Sequence, residues 1–403
     1  MVVRVILLER LDPFLTIIGG YSYNEFIMDL TPLLDQGFEF STKTPGLNYR
    51  FIGTISKDAS ALYELFANYL GARICVFSDE GDLVWDGLLW ETELTIGNNS
   101  LGPLTMDWVA NYCAVEYSDV LDSNRYALST YQEDGASFDL FGLIEKILPY
   151  GQFTSVAAAN AAGRYEANHS VPRLGGNIAL PVTGNDLKLR ITAVGYWATA
   201  GYIKIQSILT TSVTVQNRIK EIVDRTVTRP ITISGTPQNY PYLEFFSTDV
   251  SLIEGTNLTI IRYTTHVEAT SAYFERMVSL GDTSFNTWYV GAEVGSFDGK
   301  FPVGYPRVKV WQRPTAVEFF ASSQNKAIYD SAGVEVSPFR VRAGNSVQVN
   351  GLIPAAFVPQ IPIIGDNTFI VQESRYDSRT WTLSVTPEGG DEDVSIIIAS
   401  MSG

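Results

Sequence analysis

The sequence predicts a mainly β protein with a few short helices, and three observations carry that expectation. Apolar and polar residues alternate along most of the chain, the period of half-buried strands. Val, Ile, Thr and aromatic residues gather in short runs bounded by Gly, Pro, Asn and Asp. Helical spacing recurs in only a few places. At 403 residues the chain exceeds one ordinary domain, so two to four domains are expected. Aromatics make up 12% and charged residues only 18%. Such a chain can bury enough apolar surface to offset its ordering entropy, which excludes wholesale disorder.

Taken in order, Val2 to Leu8 reads as a strand, since Arg4, Glu9 and Arg10 interrupt the apolar run that a signal peptide would need. Phe38 to Ser41 is a short strand. Lys57 to Ser60 then offers capping oxygens to a helix in which Leu62, Leu65, Phe66, Tyr69 and Leu70 share a face. Gly71 ends it, as a residue that tolerates the left-handed conformation. Arg73 to Ser78, the turn Asp79 to Asp82, and Leu83 to Ile96 form a hairpin with a long second strand. Leu83 and Trp85 lie on one parity but Leu88, Trp90, Leu94 and Ile96 on the other, which predicts a β-bulge or bend at Gly87. Leu101 to Tyr117 follows as a strand or a pair.

A short amphipathic helix is expected after Ser137, with Phe138, Phe141, Leu143, Ile144, Ile147 and Leu148 apolar and Pro149 ending it. Val156 to Gly163 and Pro172 to Asn177 are small-residue and Gly-rich and read as linker or exposed loop. Strand patterns return around Tyr202–Val215, Ile231–Ser234, Leu243–Phe246 and Asn257–Thr264, with a helix over Asn217–Val223. The last hundred residues read as strands at Arg307–Trp311, Ala316–Ala321, Val334–Val341, Ser346–Val349, Thr368–Tyr376, Arg379–Thr386 and Val394–Ala399. Tyr376 to Thr380 makes a tight hairpin turn. There is no exact internal repeat. The expected division is a β-rich 1–120 with one helix, a helix and linker over 121–180, a β-rich 181–300, and a β-barrel-like 301–403.

The chemistry-bearing residues are few. The 28 basic against 44 acidic residues give a net charge of −16, which speaks against a sequence-specific nucleic-acid reader. Cys75 and Cys113 can be two buried thiols or one disulfide, and they do not make a zinc pattern. Glu91 and Glu93, two apart on a strand, point the same way. They can serve glycoside hydrolysis or simply form a solvated strand face. Asp79, Glu80 and Asp82 can bind a cation or belong to turn chemistry, and Glu388 to Asp393 reads as a solvated acidic loop. His169 and His266 lack a recognisable nucleophile motif. Trp288 with Tyr289, and Trp197 or Trp311, can stack on a sugar or fill a core. No phosphate-binding Gly-rich loop precedes a helix. Ile353 to Ile364 is too short and too rich in proline to span a bilayer. The expectation is a soluble protein that is not exported, in which the Asn98, Asn168 and Asn257 triplets carry no sugar. No catalytic residue, metal or cofactor is expected.

Arg73 to Trp90 resembles the "x-V-x-V-x-D-x-x-G-x-x-x-W-x-G-x-V" hairpin of tailed-bacteriophage tail-tip and baseplate hub proteins. Val341 to Val349 followed by Phe369 to Leu383 is similar to their closing β-domain, where a "y-D-x-x-T-x-x-L" hairpin follows an "aGd-x-v-x-v" strand. The resemblance covers residues 50–120 and 330–403. It implies several β-barrel- or sandwich-like domains and a structural, non-enzymatic virion protein. It further implies a homotrimer or other ring around the tail channel, joining tail tube or distal tail, tape measure and fibre proteins. DNA would be only passing cargo, and no stable membrane association is implied. The alternatives are a receptor- or carbohydrate-binding tail protein presenting Trp288 and Tyr289, and a glycan hydrolase using Glu91 and Glu93.

Overall fold

The computed structural model describes residues 3–9, 26–34, 36–56, 62, 65–66, 68–96, 99–118, 126–141, 143–149, 153–169, 173–174, 187–202, 268–281, 288–293, 307–322, 327–350, 368–389 and 396–400, with short pieces between 204 and 260. The molecule is mainly β. Its frame is one continuous antiparallel run. Phe26–Asp29 pairs Arg4–Leu8, which pairs Arg73–Phe77, and that strand pairs Leu83–Ile96. Leu187–Gly195 comes next, then Gly46–Ile55, Phe38–Lys43, Thr368–Asp377, Thr382–Pro387 and Ile396–Ser400. Asn99–Thr105 joins the second half of the 83–96 strand. Trp288–Glu293 lies parallel to the chain at Gly46 and Leu47, and pairs Arg307–Gln312.

One apolar cluster reaching from Val3 to Val385 lies on the buried side of this run, as expected of a wide sheet that must curl. Aromatic contacts join its distant parts. Phe51 packs on Phe38 and Trp85 at 5.7 Å, Phe40 on Phe339 at 6.0 Å and on Tyr376 at 5.2 Å. The outward side of the junction carries ions instead: Glu39 pairs with Arg375 and Arg379, and Lys43 with Glu373.

A smaller sheet is built on Tyr112–Ser118. Tyr126–Leu128 and Gln132–Glu133 pair it antiparallel, and Glu145–Pro149 parallel. The helix Val156–His169 lies across it, with Ala159 and Ala167 fully buried.

Several expectations hold. Leu62, Leu65 and Phe66 are helical and buried, and Gly71 ends the segment at φ +84°. The 73–96 hairpin forms with a 14-residue second strand. Lys57–Ser60, Leu243–Phe246 and Ile353–Ile364 lie outside the described residues, as do all but Asn217 and Ile222 of the helix expected there; both of these are helical.

Other expectations are corrected. The helix after Ser137 is Gly135–Phe141, because Asp134 Oδ1 accepts from the Ala136 and Ser137 amides and starts it earlier. Leu143 to Leu148 is no helix: Asn111 Oδ1 takes the Ile144 amide at 2.8 Å, and Glu145–Pro149 enters the smaller sheet. A short apolar run fits either state by periodicity alone. Val156 to Gly163 is not a linker. Alanine is the best helix former, Ser155 Oγ accepts from the Ala158 amide, and small residues bring the helix close to the sheet. A Cβ at Gly163 would stand 3.2 Å from the Cys113 carbonyl oxygen.

Gly87 is not a bulge. It pairs regularly with Ile74 and Gly195. The extra residues lie on either side, Val84 between the Val76–Trp85 and Phe77–Leu83 pairs, and Trp90 between the Thr192–Glu91 and Ala193–Leu89 pairs. Glycine stands at 87 because a Cβ there would come within 2.2 Å of the Val194 carbonyl oxygen. Only Glu335–Val336 of the expected 334–341 strand pairs as a strand, since Pro338, lacking an amide proton, opens a 3-10 turn over Pro338–Arg340.

Candidate functional site

The deepest polar feature lies in the hairpin. Arg73 and Asp86 form an ion pair with neither side chain exposed. Asn48 Nδ2 donates to the Asp86 carbonyl and to its Oδ1, both at 3.1 Å, and the Arg73 guanidinium lies 5.5 Å from the centre of the Tyr196 ring. The group thus ties the hairpin to the 46–55 strand and to the turn after 187–195. Charges taken out of water are tolerated only when paired and hydrogen-bonded, so the network fixes how these elements meet. Sequence reasoning missed it. The signal was present as one cation and one anion inside strands that are otherwise apolar.

Glu91 and Glu93 lie on the half-buried face of the 83–96 strand, alternating with buried Trp90, Thr92 and Leu94. Glu93 stands opposite Arg190, at 3.8 Å from its guanidinium. Burial pushes the Glu91 carboxyl above its usual range, against the pull of Arg190 and Arg50. The two acids share a face with the strand-borne Arg190 opposite Glu93, an arrangement that offsets charge on a sheet surface.

Asp79 to Asp82 form the hairpin turn. The Ser78 amide donates to the Asp82 carbonyl at 2.8 Å, Ser78 Oγ accepts from the Asp82 amide, and Gly81 has φ +90°. Among the described residues, no three His, Cys, Asp or Glu side chains are grouped to hold a metal ion. His169 ends the 156–169 helix, and His266 lies outside the described residues. Cys75 and Cys113 are both free and buried, in separate apolar clusters. Burial pushes each thiol up to about 12.

The aromatic candidates separate. Trp197 is buried and donates to Glu275 at 3.2 Å. Tyr289 packs on Trp311 at 5.5 Å and donates its hydroxyl to Glu388, which also pairs with Arg313 at 2.7 Å. Trp311 is half-buried and lines a cleft of about 820 Å³ between the 78–83 turn and the 309–345 face. Arg342 reaches across beside that cleft to the Val84 carbonyl at 3.3 Å, joining segments 258 residues apart. No helix among the described residues is long and apolar enough to cross a membrane.

No known family profile matches the chain, and no curated protein matches its sequence. Among solved structures, the E. coli c3393 protein aligns with 91% of this chain and 73% of its own, at 7% identity and a TM-score of 0.36. That protein is a component of the type VI secretion system and exhibits structural similarity to the T4 bacteriophage tail proteins gp27 and gp5.

Proposed function

We propose that this protein is a structural component of a bacteriophage tail, a hub that forms a ring around the tail channel and connects the tail tube to tip or fibre proteins. One observation carries the reading. The two segments whose sequences resemble tail-hub proteins, the 73–90 hairpin and the 341–383 region, share one core. Trp85 and Leu89 of the hairpin belong to the same apolar cluster as Val341, Val371 and Tyr376, and Arg342 bonds the hairpin at Val84. Their coming together supports reading them as parts of one hub-like frame.

The role is structural rather than enzymatic, and its site of action is the virion. The net charge of −16 suits a channel wall that repels DNA phosphates. Ring closure would cover strand edges that a β-rich protomer tends to expose. The test is the mass of the purified protein by light scattering over a concentration series, with negative-stain imaging. A trimer or hexamer that survives dilution supports the hub. A monomer at every concentration, with no rings in the images, moves the reading to a receptor-binding tail protein.

A further inference from the structure

The cleft beside Trp311 is lined by both polar and apolar groups. Its volume of about 820 Å³ lies within the ~300–1,000 Å³ of small-ligand sites. Phe319 and Phe339 contribute apolar surface to its floor. Its charges balance: Lys309, Arg340 and Arg342 stand against Glu80, Asp82 and Glu318. In a chain of net charge −16 that balance favours neither an anionic nor a cationic ligand.

Polar capacity is nevertheless left over. Among the described residues, the Trp311 indole N–H, the Gln312 amide and the Arg340 guanidinium have no hydrogen-bond partner. Ser337 Oγ is buried with no partner. Glu318, by contrast, is held in place by Asn345 and the Ser346 amide, each at 3.0 Å. The indole is braced by Tyr289 and by Gly344, where φ is +89° and a Cβ would come within 2.6 Å of Trp311 Nε1. A ring held this way loses little freedom when something stacks on it.

A ligand that suits this site is uncharged, has an apolar face for an aromatic wall, and carries a rim of hydroxyls for planar amide, guanidinium and carboxylate groups. We infer that the cleft binds a neutral oligosaccharide, with Trp311 as the stacking surface and Gln312, Arg340 and Asp82 as hydrogen-bonding partners of its hydroxyls. The inference does not rest on the tail reading: binding is counted per chain, and assembly is read separately from the mass.

The experiment is calorimetric titration of the full chain with maltohexaose, cellohexaose and the N-acetylglucosamine hexamer at millimolar concentration. Saturable binding of at least one, at one site per chain, is expected. Trp311→Ala should weaken it about tenfold or more, as loss of an aromatic stacking partner does. Gln312→Ala and Arg340→Ala, at exposed positions that leave the fold intact, should weaken it severalfold. Trp108→Ala, outside the cleft and 56% exposed, should leave it unchanged. A sialylated oligosaccharide should bind no tighter than its neutral parent. Failure of all three sugars to saturate overturns the inference, and so does wild-type affinity in both Gln312→Ala and Arg340→Ala. Binding of a mixed-charge tetrapeptide where no sugar binds would assign the cleft to a protein partner and equally overturn it.

Discussion

The Arg73 guanidinium and the Asp86 carboxylate meet inside the 73–96 hairpin with no exposed surface on either side chain. Their surroundings are apolar: Ile74 and Val76 belong to the main cluster, and Cys75 and Phe77 to the one beside it. Each charge there is compensated by the other, with Asn48 donating to Asp86 and the Tyr196 ring beside Arg73.

Removing one partner strands the other in a medium that cannot solvate it. Arg73→Met or Asp86→Leu alone should therefore cost about 3–5 kcal/mol, whereas the double substitution should recover most of the loss. Urea unfolding of the four proteins, analysed as a double-mutant cycle, measures this. A loss in the double variant equal to the sum of the two single losses would show that the pair carries no mutual dependence.

Gly87 and Gly71 separate two uses of glycine. At Gly87 a Cβ would lie 2.2 Å from backbone oxygen and 2.6 Å from the Trp85 ring, so the strands must part to admit it. Gly87→Ala should destabilise by about 3 kcal/mol, the upper end of overpacking costs. At Gly71 φ is +84° but nothing lies within 4 Å. Gly71→Ala should cost only the left-handed penalty of about 1–2 kcal/mol. Thermal and urea midpoints of the two variants check the ranking.

Both thiols are buried, and burial raises each to about 12. The thiolate is the reactive form, so Ellman's reagent at neutral pH should label neither cysteine in the native protein and both after guanidinium is added. Rapid labelling of the native protein would contradict the burial. Failure of the denatured protein to react would point to a disulfide.

Acid should unsettle two surface junctions together. Burial tends to raise Asp29 and Asp377, but hydrogen bonds from Thr31 and Arg4 to the first, and from Arg379 to the second, hold each below the ordinary 3.8. A carboxylate depressed in the folded state adds stability above its unfolded value, and loses it as pH falls through the folded one. The urea midpoint should thus fall with acidity below about pH 4, the unfolded value for aspartate. Asp29→Asn and Asp377→Asn should each flatten the fall.

Local signals were enough for the 73–96 hairpin, the helical Leu62, Leu65 and Phe66 with the Gly71 stop, and the hairpin around Ser378, because turn chemistry and alternation act over a few residues. They were not enough where tertiary context decided. Leu187–Gly195, sandwiched between the 46–55 and 83–96 strands, escaped notice. Its alternation was there to read, with Leu187, Leu189, Ile191 and Ala193 on one parity and Lys188, Arg190 and Thr192 on the other, but its place between two distant strands exists only in the folded chain. The Thr270–Gly281 helix was likewise missed, although Tyr273, Phe274 and Val278 bury one of its faces. At the candidate site, the aromatic character of Trp311 was legible. Its cleft was not, because residues 78–83 and 337–345 meet only in the folded chain.

The Phe38–Lys43 strand has its neighbour on one side within a few residues, but on the other it waits for Thr368–Asp377, where Thr42 and Ser374 exchange a 2.7 Å hydroxyl contact across 332 residues of sequence. During synthesis this strand therefore leaves the ribosome long before its second partner exists. Pairing of such high contact order is slow, and an open apolar edge in a nascent chain invites wrong association. Phe40, which needs Phe339 and Tyr376 around it, is in the meantime a sticky residue on an unfinished surface. The yield of correctly folded chain is then governed by how long translation holds that edge open, so slower growth at low temperature or added chaperone capacity should act on yield while leaving the equilibrium stability unchanged.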